Sequence, residues 1–192
     1  MYTFTLNSFK ITDTRSQHKD SDFVSVAVAV GSNPPITLPT KSMGDLNNGI
    51  YQVNLSIANI DVPAGQVAAF SYSIANTGHA KDTIGQALQK LSSSAASKAA
   101  VAAVGTLAGG PIGTVGVGAA NWALEKVLGV VFADCDGPVA AGIHSYTGAQ
   151  LAQQTAGGQV ISVTDENKGS DSNWGCGGNS HYFVTWSIAA QG

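Results

Sequence analysis

The sequence predicts a mainly β protein: an antiparallel β-sandwich with an inserted Ala/Gly-rich αα-hairpin. Three observations lead there. Short runs of period-two alternation, separated by Gly, Pro and Asn turns, fill residues 1–81 and 133–192. Between them, at about 82–132, the apolar residues recur with a helical period. Within that middle stretch, residues 99–124 hold no Asp, Glu, Lys or Arg. Short strands with tight turns on either side of one helical stretch fit a sandwich better than a βαβ array. A chain of 192 residues can bury one core, so 1–192 reads as a single domain.

The elements follow in order. Thr3-Phe4-Thr5-Leu6 and Phe9-Lys10-Ile11 make a first strand. Residues 23–30 alternate small with β-branched side chains and stop at Gly31-Ser32-Asn33-Pro34-Pro35. Residues 50–57 put Tyr51, Val53, Leu55 and Ile57 on one face, and residues 67–74 do the same with Phe70, Tyr72 and Ile74. Asp82 or Thr83 can N-cap a helix whose stripe is Ile84, Leu88 and Leu91, continued by Ala95, Ala99 and Ala102. Gly109-Gly110-Pro111 breaks it, because proline cannot donate the interior hydrogen bond. A second helix is expected from about 112 to 132, with Trp122, Leu124, Val127, Leu128 and Val131 as its large side chains. Strands return at 139–146, 160–163 and 181–188; the last, with Tyr182, Val184, Trp186 and Ile188 on one side, reads as central.

Charged residues are only 11% of the chain, against about 25% in an ordinary soluble domain. Hydrophobic residues reach 44%, which excludes wholesale disorder. The net charge is −3 and no Lys/Arg cluster exists, so the chain lacks the basic track that nucleic-acid binding needs. Met1 opens straight into the first strand with no basic, then apolar, leader. The expected location is therefore open between the cytoplasm, a processed export product and a non-classical export route.

The apolar hairpin raises a membrane reading. At about 1.5 Å per residue its helices reach roughly 30–40 Å, enough to cross a hydrocarbon core of about 30 Å. Gly105, Gly109 and Gly113 have the four-residue spacing that lets helices approach closely, although Pro111 interrupts them. The glycines also dilute the transfer energy. A hairpin packed on the sandwich, or buried in a subunit contact, explains the same residues.

Three further groups carry chemistry. Asp13, Asp20 and Asp22 lie between the first two strands, and Asp165, Glu166 and Asp171 lie in a second inter-strand loop beside Asn167 and Asn173. Calcium takes 6–8 oxygen ligands, so if both loops share one end of the sandwich, Asp13, Asp20, Asp22 and Asp171 can share an ion. Acids placed between strands resemble the loop arrangement of C2-type calcium- and phospholipid-binding sandwiches. Solvated loops with Asx turns are the alternative. Trp174, with Asn173 beside it in a polar loop, suits a glycan: the ring stacks on a sugar and the amide meets its hydroxyls. Cys135 and Cys176 both sit in turn-like settings and can close a disulfide; reduced thiols are the alternative.

No catalytic motif stands out. His18, His79, His144 and His181 are scattered, with no HExxH or HxH, and no GxSxG elbow follows a strand. A Cys176–His181 pairing lacks any signature. The sequence therefore points to a non-enzymatic binding protein. The leading expectation is membrane-directed action, toxin-like or pore-forming, through the hairpin. A calcium- or carbohydrate-binding, lectin-like module and a self-assembling structural subunit are the competitors.

Overall fold

The computed structural model describes residues 1–14, 21–77, 81–104, 137–168 and 180–192. The chain is mainly β. Among the described residues, the strands are β1 (Tyr2–Asp13), β2 (Ser21–Val30), β3 (Ile36–Thr37), β4 (Lys41–Asp45), β5 (Gly49–Ile60), β6 (Val67–Thr77), β7 (Gly137–Thr147), β8 (Val160–Lys168) and β9 (His181–Ala190). They form two sheets, every pairing antiparallel. The first sheet runs β5-β1-β9-β8; the second runs β3-β2-β6-β7, with β4 also beside β2.

The inner faces of the two sheets share one core. Phe4, Leu6, Phe9 and Ile11 of β1 and Tyr182, Val184, Trp186 and Ile188 of β9 meet Val24, Val26 and Val28 of β2 and Phe70, Tyr72 and Ile74 of β6. Phe4 joins the layers, its ring 5.2 Å from that of Phe70 and 6.0 Å from that of Trp186. Strand β9, expected to be central, lies between β1 and β8.

The outer face of the second sheet is also covered. Helix α1 (Lys81–Val104) lies on β2 and β6, which are buried on both faces over nearly their whole length. The small residues of β2 and β6, together with Phe23, face it: Ala27, Ala29 and Ala69 pack with Ala96 and Ala100, while Ala75 and Phe23 pack with Ile84, Leu88 and Leu91. Ser71 donates to the Ser92 carbonyl at 2.7 Å, and the Ser73 and Ser92 hydroxyls meet at 2.6 Å. Such contacts need a close approach between helix and sheet. The buried row steps 84, 88, 92, 96, 100, so Ala96 and Ala100 take the places expected for Ala95 and Ala99, which are only partly covered. At 3.6 residues per turn a four-residue step winds slowly round the helix, as contact with a twisted sheet requires. No helix among the described residues is long and apolar enough to cross a membrane. The break at Gly109-Gly110-Pro111 and the second helix, expected over 112–132, lie outside the described residues. Leu88, fully buried, anchors the α1 contact. Leu88→Ala should cost roughly 3 kcal/mol in a urea titration, the middle of the range for a buried leucine.

Helix α2 (Gly148–Gln154) follows β7 and was not evident from the sequence pattern. Thr147 caps it: its hydroxyl accepts from the Gln150 N–H at 3.1 Å, and the Gln150 side chain accepts from the Thr147 N–H at 2.8 Å.

Register shifts shape the first sheet. Between Leu6 and Ser8, β1 spends two residues where β9 spends one, the extra residue being Asn7. Buried positions therefore switch from Phe4 and Leu6 to Phe9 and Ile11. Edge strand β5 bulges against β1 in two places, beside Asn54 (φ 53°) and Asn59 (φ 58°). Asparagine is among the few residues that adopt this left-handed conformation readily.

The expected strand over 160–163 continues to Lys168, so Asp165, Glu166 and Asn167 are strand residues and not loop residues. Asp165 and Asn167 face inward, and their polarity hid the alternation. Asp22 likewise belongs to β2, and Asp13 is the last residue of β1.

Candidate functional site

Of the expected calcium ligands, the structure describes two, and they differ in setting. Asp13 is exposed at the end of β1, opposite His181. Asp22 is buried, and its carboxylate accepts from the Tyr182 hydroxyl at 3.1 Å and from the Asn76 amide at 2.9 Å, tying the two sheets together. Asp20, Asp171, Asn173, Trp174, Cys135 and Cys176 lie outside the described residues. The strand ends that flank 15–20 and 169–179 do share one end of the molecule. Asp13 and Lys168 are both opposite His181, and the Asp22–Tyr182 bond ties the neighbouring ends of β2 and β9. Among the described residues, no group of three or more His, Cys, Asp or Glu stands ready to hold a metal.

The densest polar cluster is internal. Asp165 Oδ2 accepts from Tyr72 Oη at 2.8 Å and Trp186 Nε1 at 3.0 Å, and meets His144 Nε2 at 2.7 Å. Asn167, fully buried, accepts from the Ala141 N–H and donates to the Tyr72 oxygen. Gly142 stands opposite Tyr72, and a Cβ there would lie 2.5 Å from its ring. Glycine is what lets that ring cross the strand to reach the carboxylate.

Burial pushes the Asp165 carboxyl upward, but hydrogen bonds from His144, Tyr72 and Trp186 and the charge of His144 outweigh it and hold the group below the usual carboxylate range. Burial, then the Asp165 charge, drives the Tyr72 hydroxyl far above its ordinary value, so it stays a donor. Every partner of Asp165 Oδ2 is a donor, which makes the cluster a brace from β6 and β7 of the second sheet to β8 and β9 of the first. A depressed carboxyl contributes stability above its unfolded value of about 3.9 and loses it as the pH falls through the folded value. Stability measured by urea unfolding should therefore fall from about pH 5 downward, and Asp165→Asn should flatten that slope.

The outer face of the first sheet is of a different kind. Register places Ser56, Thr5, Ser187 and Ser162 in one row across β5, β1, β9 and β8. The next row is Gln52, Ser8, Thr185 and Thr164, and the next is Ile50, Lys10, Phe183 and Glu166. Hydroxyls meet across strands at Thr5–Ser56 (2.9 Å) and Thr164–Thr185 (2.8 Å), and the Asn7 amide donates to Ser187 at 3.0 Å. These pairs hold the side chains in fixed directions. A depression of about 350 Å³ opens on this face, lined by Ser8, Lys10, Ile50, Thr164, Phe183 and Thr185. That volume falls at the lower end of the roughly 300–1,000 Å³ common to small-molecule sites. Its walls pair an aromatic ring and an aliphatic side chain with three hydroxyls and one ammonium.

At the margin, His181 packs at a tilt against Phe183 (ring centres 4.6 Å) and bonds Glu166 Oε1 at 2.8 Å, while Lys168 pairs with the same oxygen at 3.2 Å. Hydrogen bonds from His181 and then Lys168 hold the Glu166 carboxyl below its usual range. Sequence inspection missed this face. Its signal was present in the outward positions of each strand, which carry Ser and Thr where a solvated face ordinarily carries Lys and Glu.

Comparison of the chain with protein-family models, curated proteins and solved structures gave no match.

Proposed function

We propose that this chain is a non-catalytic saccharide-binding module, a β-sandwich braced by its helical insertion, whose binding surface is the outer face of the first sheet. One observation carries the reading: the depression at Ser8, Lys10, Thr164, Phe183 and Thr185 sets hydroxyls, those of Thr164 and Thr185 fixed by their mutual bond, beside an accessible aromatic ring. A sugar offers the complement, hydroxyls at its rim and C–H groups on its ring face, which pack on an aromatic surface. The second sheet cannot offer a comparable broad face, because α1 occupies it. Among the described residues, the stripe of α1 from Ile84 to Ala100 is spent on that contact, which favours saccharide binding over membrane action through this helix.

The test is a titration followed by amide chemical shifts, using soluble oligosaccharides of several linkage types at millimolar concentration. Shifts should concentrate in β1, β8 and β9 for at least one sugar. Phe183→Ala should weaken that binding about tenfold, the loss of one aromatic contact. Absence of perturbation on this face with every sugar, or shifts confined elsewhere, would overturn the reading.

A further inference from the structure

We infer that the saccharide taken by this face carries a carboxylate, and that Lys10 is the residue that selects it. The inference rests on the saccharide-binding reading and adds the chemical class of the ligand. Lys10 is exposed in β1, between Ile50 of β5 and Phe183 of β9 in the same cross-strand row. It has no ion-pair partner among the described residues. The acid nearest in register, Glu166, lies one strand beyond Phe183 and is already bonded to His181 and Lys168. Among the described residues, the depression therefore holds one ammonium without an ion-pair partner and no carboxylate on its walls. A neutral sugar would leave that charge unmatched, and a cationic one would be repelled. A uronic acid supplies all three complements at once: hydroxyls for Ser8, Thr164 and Thr185, a ring face for Phe183, and an anion for Lys10.

The probe is trigalacturonate, set against its fully methyl-esterified form, which keeps the sugar and loses the charge. At low salt the acid should bind about fivefold tighter than the ester, the size expected of one solvent-exposed ion pair. The preference should shrink at high salt. Lys10→Met keeps the aliphatic stem and should bind both forms alike, whereas Lys10→Arg should retain the preference; unchanged melting of both variants verifies their folding. Equal binding of acid and ester by the wild type on this face overturns the inference and leaves the saccharide reading standing. Full discrimination retained by Lys10→Met also overturns it. No perturbation of this face by the acid, the ester or any neutral sugar removes both.

Discussion

Replacing Asp165 with alanine should destabilise the protein by roughly 3–5 kcal/mol, the range for removing one partner from a buried charged cluster. Three donors would lose their acceptor together: the Tyr72 hydroxyl, the Trp186 indole N–H and the His144 ring. Tyr72 and Trp186 are almost completely buried, so water does not replace the bond. Asp165→Asn keeps one acceptor oxygen, and its loss should be clearly smaller. Urea unfolding of both variants near neutral pH gives the comparison. A cost for Asp165→Ala under 1 kcal/mol would mean that solvent already satisfies these groups.

Gly148→Val is the second substitution with a large expected effect. Gly148 is buried at the first turn of α2, where its N–H bonds the Gln66 carbonyl at 2.9 Å. A Cβ there would overlap the carbonyl oxygens of Val62 and Pro63, which are main-chain atoms with no rotamer to change. Relief requires moving the 62–66 turn or α2, and Gln66 and Leu151 with them. The expected loss is about 3 kcal/mol, the upper part of the range for overpacking, and a fall in melting temperature should follow. A branched side chain accepted at this position with unchanged melting would show that the turn moves freely.

Much of the architecture was legible because binary alternation reports burial directly. Residues 181–188 carry large apolar side chains at every second position, and they form the centre of the first sheet. The alternation of valine with small residues in 23–30 was visible as well. Its meaning, a face for α1 opposite a face for the core, needed the structure. Strand β1 reads as one strand, but its alternation falls into two runs because Asn7 shifts the phase. Helix α2 was hidden by its brevity, although Thr147 and Gln150 spell a capping box. Asp165 and Asn167 passed for loop residues, since inward-facing polar groups break the pattern used to recognise a strand. The candidate site was the least legible part. Ser8, Thr185 and Thr164 are unremarkable within their own strands, and only register brings them into one row.

The contact between α1 and the second sheet bears on how an apolar composition should be read. Ala27, Ala29, Ala69, Ala96 and Ala100 bury little area each, yet they set the gap between two backbones. Exchanging this face of the helix for leucines would raise its hydropathy while wedging it outward, parting the Ser71 and Ser73 hydroxyls from Ser92. The tightest helix for this sheet is thus not the most hydrophobic one. Selection for close spacing produces the same alanine enrichment that a hydropathy plot scores as affinity for lipid.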